Sequence, residues 1–473
     1  MQSSLEKSVV LVGGGISALM SAYFLKKISP DKSVHIIENS SKLGGKYSSF
    51  NYEDDLYFDQ GMHVIYESCD EDIDNIYREI LPESEWNIFH KNEKDIAGVF
   101  YNGKLQQYSH YIDLRNVSKD KYQLYLSSLF GSLNRPEEKG SAEKALRSRF
   151  GDLIFRDNHE KILLNLYGQE PRKLTDLAIK LTALERVLMF DEPEMLDLMK
   201  SSLIRSRIGF PNQLSLPDIR PNEQKALYPK KYGMYNFVNA FEAKLGELGV
   251  FVHKNTEIEN ITLDSSAISS IDVRVSKTKN INLAIDTLIW CAGLPSIASV
   301  LGVSFDGVHY EQGRKIVYVN LIFDKPIDTG RLYYFYCYDQ GFSTHRVTNY
   351  SEYCPDEKSN NRFRCCVELW PEKNNLNPDD LTEDNILGIA ISELKTFGVI
   401  SEQELKFSSV EKNVGRFPLP SLNNQNALNE LRTRLKNINL RNLINVGVLS
   451  EEGIFFLPDV LNDAFEKLRG AFK

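Results

Sequence analysis

Apolar residues near the start of the chain form two short runs that flank a segment with helical periodicity. Residues 9–12 are four consecutive apolar positions, which is typical of a strand buried on both faces of a parallel sheet. Gly13-Gly14-Gly15 ends that run, and residues 16–27 place apolar side chains at helical spacing. Val34–Ile37 is a second apolar run. The pattern predicts a strand–helix–strand unit at the start of the chain.

The rest of the chain mixes both periodicities. Helical patterns recur in residues 73–80, 119–130, 141–150, 173–189, 235–248 and 458–472. Strand-like runs occur in residues 251–253, 256–261, 285–293, 316–323, 332–338, 364–369 and 443–447. Asn102-Gly103 lies between two β-like runs and predicts a hairpin. We therefore expect an α/β protein.

The composition is that of a globular protein with an acidic balance. The chain has 473 residues, of which 42% are hydrophobic and 26% charged, and its formal net charge is −9. This length predicts two or three lobes. The negative charge argues against a nucleic-acid partner, because phosphate backbones are bound by clustered Lys and Arg. No run of about 18 apolar residues occurs, so we expect no integral membrane segment.

The cysteines and histidines form no ligand motif. The six cysteines are scattered without C-x-x-C spacing, and the eight histidines are equally dispersed. We therefore expect neither a disulfide framework nor a metal site. This usage, together with a first strand that begins too early for a signal peptide, favours a cytoplasmic location. The pattern specifies no oligomeric state.

The turn after the first strand carries a dinucleotide-binding pattern. Gly13 allows a tight turn, and Gly15 lets a pyrophosphate reach backbone N–H groups at the helix N-terminus. Ala18 stands where a third glycine would pack the helix closely against the strand. Glu38 follows Gly15 by 23 residues, where an acidic side chain binds ribose hydroxyls. A glycine-rich turn in an ordinary strand–helix–strand unit is the alternative.

The segment after Glu38 resembles a flavoprotein motif. Residues 38–46 are similar to the E-x-x-x-R-x-G-G-R run of the flavoproteins that include amine oxidases, protoporphyrinogen oxidase and phytoene desaturase. UDP-galactopyranose mutase is a more distant member with a related run. The resemblance implies that Lys42 lies near the adenosine ribose and Lys46 near the pyrophosphate or the flavin edge. Both family arginines are lysines here, which removes bidentate contacts.

A second motif follows closely. Asp59-Gln60-Gly61-Met62-His63 resembles the D-x-G-x-H element that passes over the flavin in protoporphyrinogen oxidase-like and mutase-like members. Gly61 permits a close backbone approach, and a histidine is the side chain that titrates near neutral pH. His63 is therefore a candidate catalytic residue in contact with flavin or substrate. A structural histidine is the alternative.

Later segments complete the resemblance to these flavoproteins. It implies that a backbone group at Ile258 contacts the adenine and that the small residues at the end of the 285–293 strand skirt the dinucleotide. Cys291 is interpreted there as a packed thiol. The C-terminal helix is expected to point its positive N-terminus at the flavin. The resemblance implies FAD, held non-covalently by Gly13, Gly15, Ile16, Ser17, Ala18, Glu38, Lys42, Gly44, Gly45, Lys46, Gly61, Met62, His63, Ile258, Cys291, Ala292, Gly293, Gly447, Leu457, Pro458 and Val460.

The resemblance also implies a domain organisation, namely a Rossmann-like FAD/NAD(P)-binding domain with a discontinuous α+β substrate domain. We expect residues 1–67, 228–310 and 405–473 to form the FAD-binding domain. The mainly helical residues 68–227 and the β-rich residues 311–404 are expected to form the substrate domain. No second Gly-x-Gly-x-x-Gly unit occurs, so a dedicated nicotinamide domain is not expected.

Three hypotheses follow for function. The first is an oxidoreductase that takes a hydride from a small polar substrate onto flavin N5. The second is a redox-neutral nucleotide-sugar mutase, because the segment from Arg346 to Glu368 resembles a pattern in mutase-like members. Arg346 is then a candidate for binding an anionic substrate group, with an exposed hairpin arginine as the alternative. The third is a non-enzymatic FAD-binding protein.

Overall fold

The computed structural model describes residues 7–53, 55–218, 224–276, 279–354, 362–412 and 414–472. The described chain forms two compact units. Unit 1 is drawn from residues 1–88, 224–309 and 426–473, and unit 2 from residues 89–223 and 310–425. Each unit is built from stretches that are far apart in the sequence.

The strands and helices are numbered in chain order. The strands are β1 Ser8–Val12, β2 Val34–Ile37, β3 Ser49–Tyr52, β4 Leu56–Asp59, β5 Ile65–Tyr66, β6 Trp86–Phe89, β7 Ala97–Tyr101, β8 Lys104–Gln106, β9 Ile112–Asp113, β10 Val187–Leu188, β11 Ala226–Pro229, β12 Phe251–His253, β13 Glu257–Asp264, β14 Ala267–Ser276, β15 Lys279–Trp290, β16 Val317–Phe323, β17 Tyr334–Cys337, β18 Thr344–Asn349, β19 Phe363–Leu369, β20 Leu405–Glu411 and β21 Leu443–Asn445. The helices are α1 Ile16–Ile28, α2 Glu71–Ile80, α3 Lys119–Leu133, α4 Ala142–Phe150, α5 Asp152–Ile154, α6 Glu160–Tyr167, α7 Leu177–Lys180, α8 Glu192–Leu198, α9 Ser202–Arg207, α10 Met234–Glu247, α11 Leu294–Val300, α12 Tyr350–Tyr353, α13 Glu383–Thr396, α14 Leu422–Ile438 and α15 Leu457–Ala471.

A parallel sheet forms the centre of unit 1. Its strand order is β12-β2-β1-β15, and β21 adds to β15 on the far side. Val12, at the end of β1, is paired with Ile37 of β2 and with Trp290 of β15. β15 extends beyond this sheet into an antiparallel layer with β14 and β13. Because the five strands are parallel, their carboxyl ends meet at one edge of the sheet.

Helices and side chains cover both faces of β1, which explains its continuous apolar run. Val10 and Val12 belong to a buried cluster with Leu288 and Trp290. α1 packs against α10 and α15. The rings of Phe24 and Phe465 stack across the contact between α1 and α15 with centroids 4.3 Å apart. Every residue of β1 is consequently buried.

A seven-stranded mixed sheet organises unit 2. Its strand order is β20-β16-β19-β18-β17-β7-β8, with β17 and β7 parallel and the other pairs antiparallel. α13 packs against β16 and β20. The helices α3 to α9 lie in the stretch before residue 224. The hairpin expected at Asn102-Gly103 is confirmed as the connection between β7 and β8.

The structure confirms the α/β class and the opening strand–helix–strand unit, but one predicted helix is wrong. Residues 173–189 form only the short α7, followed by turns and the strand β10. Ala183 has a positive φ of 49°, which a helix does not tolerate. Val187 and Leu188 pair in parallel with β9. The apolar residues that suggested a helix face are therefore shared between a turn and a strand.

The boundaries of the two compact units differ from those expected for the domains. Unit 1 runs to residue 88 rather than 67, because α2 packs on α10, with the rings of Tyr77 and Phe237 6.1 Å apart. Unit 2 runs to residue 425 rather than 404, because β20 pairs with β16. None of the helices in the described ranges has both the length and the apolar character needed to cross a bilayer.

Candidate functional site

Backbone hydrogen bonds join successive strand ends along the carboxyl edge of the parallel sheet in unit 1. The N–H of Gly13 donates to the carbonyl of Ile37 at 2.8 Å, and the N–H of Cys291 donates to the carbonyl of Val12 at 2.8 Å. The N–H of Glu38 donates to the carbonyl of His253 at 2.9 Å. Residues that are far apart in sequence are thereby aligned on one edge, where ligands bind in open α/β sheets.

The glycine turn after β1 is packed tightly on one side and open on the other. Gly13 has a φ of 98°, and a Cβ there would lie 3.2 Å from the backbone nitrogen of Ala292. A Cβ on Gly14 would lie 2.6 Å from Leu43 Cδ2. A Cβ on Gly15, in contrast, would meet no atom within 4 Å. The turn therefore leaves space directly in front of Gly15.

α1 begins at this open space. Its N-cap is Gly15, which supplies no side-chain cap, and its first turn carries no acidic residue. Ile16, Ser17 and Ala18 are buried, and the Ala18 N–H donates to the Gly15 carbonyl at 2.9 Å. The positive end of the helix dipole therefore faces the space without a carboxylate in the first turn to offset it.

Glu38 reaches back from the end of β2 to the glycine turn. Its carboxylate accepts hydrogen bonds from the N–H of Gly14 at 2.6 Å and from the N–H of Ser40 at 2.7 Å. The Glu38 carbonyl accepts a hydrogen bond from the N–H of Thr256 at 2.9 Å. The acid is thus held at the rim of the glycine turn, as its position in the sequence predicted.

Residues 42–48, which contain the Gly-Gly-Lys run, form a loop beside the same turn, and this loop is called the arch. The N–H of Gly44 donates to the carbonyl of Gly14 at 2.8 Å, and a Cβ on Gly45 would lie 3.2 Å from the Cα of Gly15. The Lys46 side chain is exposed. Lys42, which was expected near the ribose, donates from Nζ to the Ser49 carbonyl at 3.1 Å. The two glycines therefore lie directly beside the glycine turn, whereas the Lys42 amino group binds the Ser49 carbonyl.

The Gly61–His63 turn follows β4 closely. Gly61 is buried with a φ of 85°, and its N–H donates to the Asp59 carbonyl at 2.8 Å. Met62 is buried, while the His63 ring is half-buried. The centroids of the His63 and Tyr47 rings lie 5.0 Å apart in an edge-on arrangement. His63 therefore lies against the arch that carries Gly44 and Gly45.

The small residues after β15, from Cys291 to Gly293, pack behind Gly13. Burial raises the pKa of the Cys291 thiol to about 12, although the Ser17 hydroxyl acts in the opposite direction. A thiol with that pKa is protonated at neutral pH, which supports a packing role. Gly293, with a φ of 92°, is the N-cap of α11, and the Ala292 backbone faces Gly13.

β21 and the loop that follows it pack against the same small residues. The N–H of Val446 donates to the carbonyl of Trp290 at 2.9 Å. Gly447 has a φ of 113°, and a Cβ there would lie 3.4 Å from the Cys291 carbonyl oxygen. The loop is held from behind by Arg432, whose guanidinium donates to the carbonyls of Leu449 at 2.7 Å and Ser450 at 3.0 Å.

The C-terminal helix begins one residue earlier than predicted. α15 starts at Leu457, with Pro458 in its first turn and Val460 buried. Its N-cap, Phe456, makes no side-chain cap hydrogen bond, and Asp459 is an acid in the first turn. That carboxylate offsets part of the positive helix end, so α15 offers a weaker anion-binding N-terminus than α1.

Ile258 lies on β13, in register with Val273 of β14. Its half-buried side chain packs against the cluster that contains Val10 and Val12. Thr256, two residues earlier, is hydrogen-bonded to Glu38. The strand that carries Ile258 is therefore anchored next to the acidic end of β2.

Arg346 belongs to unit 2 and is already paired. It lies on β18, and its Nε donates to Glu368 Oε1 at 2.5 Å. The exposed fractions of the two side chains are 17% and 6%, which rules out the exposed hairpin arginine. Its guanidinium lies 5.8 and 5.9 Å from the ring centroids of Tyr334 and Tyr336. Burial acts to lower the pKa of Arg346, but the Glu368 carboxylate raises it well above the usual value.

The sequence interpretation missed the residues that organise this site. Asp59 lay inside a quoted motif, yet its partners Ser49, Tyr228 and Met234 are distant in sequence. Gly14 packs tightly against the Leu43 and Glu38 side chains, which the triple glycine alone did not indicate. The signal for Asp59 was an acidic residue directly after an apolar β run.

FAD fits the arrangement in unit 1. The space in front of Gly15 is one that any side chain would fill, and the uncapped end of α1 faces it. Glu38 provides a carboxylate at the rim, and the arch glycines allow backbone to approach a ligand closely. These groups suit a dinucleotide pyrophosphate and ribose.

Comparisons with known proteins agree with this geometry. Residues 11–80 match the model of an NAD(P)-binding Rossmann-like domain. A coproporphyrinogen III oxidase from Staphylococcus aureus is 26% identical over 273 residues, which cover 54% of this chain and 55% of that protein. The match thus spans about half the length of the curated relative.

Solved structures share the fold along the whole chain. A reduced UDP-galactopyranose mutase superposes with a TM-score of 0.72 and 16% identity, covering 99% of this chain and 94% of that one. A protein from Exiguobacterium sp. 255-15, named as a protoporphyrinogen oxidase, gives a TM-score of 0.68 and 17% identity, with coverage of 100% and 99%. A putrescine oxidase variant gives a TM-score of 0.61 and 14% identity, with coverage of 99% of each chain.

These matches confirm the fold that the motifs indicated: residues 11–80 match a Rossmann-like NAD(P)-binding domain, and the chain shares the fold of the solved mutase and oxidase structures.

Proposed function

We propose that the chain is an oxidoreductase that binds FAD non-covalently in unit 1 and takes a hydride from a small polar substrate onto flavin N5. The observation that carries the proposal is the convergence of the Gly13–Gly15 turn, Glu38, the Gly44–Gly45 arch and Gly447 at one edge of the parallel sheet. Flavoenzyme relatives and neighbours support the same class.

The chain's own residues bind and orient the cofactor in this proposal. FAD supplies the hydride acceptor when it is bound. The N–H groups at the start of α1 hold the pyrophosphate over Gly15, and Glu38 binds the ribose hydroxyls. Gly61 and Met62 bring backbone close to the flavin. His63 is the candidate group to hold or move a proton at its imidazole ring. Arg346, which the sequence suggested for an anionic substrate group, is paired with Glu368 within unit 2.

The names of related proteins indicate which substrates to assay first. The curated relative is a coproporphyrinogen III oxidase, and one structural neighbour is a putrescine oxidase. A porphyrinogen carries carboxylates, whereas putrescine is a cation, so the two substrates differ in charge. Coproporphyrinogen III is the first substrate to test because the relative matched by sequence is named for it, with putrescine as the comparison.

A redox-neutral mutase is the second candidate. It is favoured by the fold shared with a reduced UDP-galactopyranose mutase over nearly the whole of both chains. A nucleotide sugar carries a diphosphate, and Arg346, which the sequence suggested for that group, is already paired with Glu368. The two candidates differ in net electron transfer. An oxidoreductase transfers electrons from the substrate to the flavin, whereas a mutase transfers none overall.

One set of anaerobic assays separates the hypotheses. The FAD-loaded protein is mixed without oxygen with coproporphyrinogen III, putrescine or UDP-galactopyranose. Loss of the oxidised-flavin absorbance with one of the first two supports the oxidoreductase. Conversion of UDP-galactopyranose that needs prior dithionite reduction supports the mutase. Retained FAD with no response in any assay supports a non-enzymatic FAD-binding protein and contradicts the proposal.

A further inference from the structure

We propose that Asp59 is the positioning residue that fixes two candidate cofactor-contacting segments, the Gly44–Gly45 arch and the Gly61–His63 turn, relative to each other and to α10. The inference rests on the proposed binding of FAD in unit 1. Asp59 ends β4, and its carboxylate is buried, with 1% of the residue exposed. It is not itself one of the residues assigned to the cofactor. Its role would be exerted through the segments that it joins.

Three donors from three different segments converge on this carboxylate. Oδ1 accepts hydrogen bonds from the Ser49 hydroxyl at 2.9 Å and from the Met234 N–H at 3.0 Å. Oδ2 accepts a hydrogen bond from the Tyr228 hydroxyl at 2.7 Å. Ser49 begins β3, Tyr228 lies in β11 and Met234 begins α10. A single side chain thus joins elements separated by up to 175 residues.

Ser49 connects Asp59 to the arch that carries Gly44 and Gly45. The Lys42 amino group, at the other end of the arch, donates to the Ser49 carbonyl at 3.1 Å. The Gln60 side chain donates to the Ser48 hydroxyl at 2.8 Å. Ser48 is therefore tied directly to the Asp59 segment, and Lys42 is tied to it through Ser49.

The turn that carries His63 begins at Asp59 itself. The Gly61 N–H donates to the Asp59 carbonyl at 2.8 Å, which sets the direction of the turn. The His63 ring then lies edge-on to Tyr47 of the arch, 5.0 Å between centroids. A shift of Asp59 would move the arch and the His63 turn together.

The close packing at the start of α10 leaves no room for such a shift of Asp59. A Cβ on Gly233 would lie 2.6 Å from the Tyr228 hydroxyl and 2.8 Å from Asp59 Oδ1. A Cβ on Gly44 would lie 2.8 Å from Val238 Cγ2 of α10. Only glycine fits at these two positions, so α10, the arch and Asp59 pack as one body.

A carboxylate suits this junction better than a neutral side chain. The N-cap of α10 is Gly233, which has no side chain to accept a hydrogen bond. The carboxylate of Asp59, at the end of β4, accepts one from the Met234 N–H instead. Negative charge at a helix N-terminus is favourable. A buried carboxylate also requires several donors, and the three segments supply them.

The test separates positioning from simple core stability by means of a matched buried aspartate. Asp74 also lies in unit 1, has 9% exposure and accepts hydrogen bonds from the Ser68 N–H at 2.7 Å and hydroxyl at 2.9 Å. D59N and D74N are each compared with the wild type for thermal unfolding without FAD. The dissociation constant for FAD and the fine structure of the bound flavin's visible band are then measured.

We expect D59N to weaken FAD binding by about 10- to 100-fold, as loss of a residue that orients ligand groups typically does. Its flavin band should broaden, while D74N retains wild-type affinity and band shape at a comparable loss of thermal stability. D59N with an FAD affinity within about twofold of the wild type, or D74N with an equal loss, would overturn the inference.

A second variant keeps the test decisive should D59N not fold. The double variant S49A/Y228F removes two of the three donors and leaves the carboxylate in place. It is expected to weaken FAD binding and broaden the flavin band in the same way, and unchanged values would overturn the inference. A wild-type protein that binds no FAD would instead contradict the proposed function. The two failures are therefore distinguishable.

Discussion

The carboxylate of Glu38 accepts a hydrogen bond from the backbone N–H of Gly14 at 2.6 Å. A Cβ on Gly14 would lie 3.0 Å from the same carboxylate, so a larger residue there would require the Glu38 side chain to shift. The acid at the end of β2 and the glycine turn at the end of β1 therefore form one structural element. Any ligand held by the turn is also close to Glu38.

Substitution of Glu38 should weaken FAD binding. E38Q keeps one oxygen acceptor and is expected to raise the dissociation constant about 10-fold, whereas E38A removes both and should raise it on the order of 100-fold. Titration of the apoprotein with FAD measures both values. E79Q changes an exposed carboxylate of the same unit that pairs with Lys27, and should leave the affinity unchanged. Wild-type affinity in E38A would contradict the role of Glu38.

Replacing each of three glycines by alanine should affect stability and FAD binding in three different ways. G15A adds a methyl group to open space, so it should fold normally yet weaken FAD binding at least about 10-fold. G13A forces a φ of 98° on alanine with a contact of 3.2 Å, and should lower the unfolding temperature. G470A is the control, because it lies in α15 with nothing within 4 Å of its Cβ.

Thermal unfolding and FAD titration of the same three variants check these expectations. G470A should leave the stability unchanged or raise it slightly, by at most about 0.5 kcal/mol, because Gly470 lies in the last turn of α15. A G15A protein that is as stable as the wild type and binds FAD equally well would show that the space in front of Gly15 holds no cofactor.

Breaking the Arg346–Glu368 pair should destabilise unit 2. Both side chains are largely buried, with 17% and 6% exposed, so E368Q leaves a buried cation without its carboxylate. The expected loss is about 3 kcal/mol in the free energy of unfolding, measured by urea denaturation. D197N, which breaks the exposed Lys200–Asp197 pair, should leave the midpoint unchanged. An equal effect of the two variants would contradict the pairing.

Stability should fall in mild acid because of His35. Burial, and then the neighbouring His253 ring, lower its pKa from 6.5 to about 4. The unfolded chain therefore binds the proton first, so the contribution is present above pH 6.5 and is lost as the pH falls from 6.5 towards 4. The loss from this partly exposed group is about 1–2 kcal/mol.

The comparison with H35F removes the titrating ring at position 35 together with its 3.0 Å contact with His253. Phenylalanine preserves a ring at the position that stacks on Phe251, 4.8 Å between centroids. The difference in unfolding temperature between wild type and H35F should change between pH 7.5 and 4.5, with the wild type losing more. A difference that stays constant over this range would contradict the assignment.

The opening unit could be predicted from sequence because every feature of it is local. The apolar run of β1, the three glycines and the periodicity of α1 all lie within 28 residues. The position of Glu38 then followed from the length of one helix and one strand. The C-terminal helix was predictable for the same reason, since Pro458 marks its start.

The remaining features depend on partners that the sequence does not pair. Asp59 gains its role from Ser49, Tyr228 and Met234, and Lys42 binds the Ser49 carbonyl rather than a ligand. Residues 173–189 have apolar spacing that suits a helix, but Val187 and Leu188 pair with β9. Tertiary pairing overrode the local preference there.

Flavin content tests the central claim most directly. The purified protein is incubated with FAD, freed of unbound cofactor, and its visible absorption spectrum is recorded before and after denaturation. We predict the bands of oxidised flavin, a single FAD for each chain, and release of all of it on denaturation. A protein that stays colourless after incubation with FAD would contradict the assignment of the sheet edge at Gly15 and Glu38 as a cofactor site.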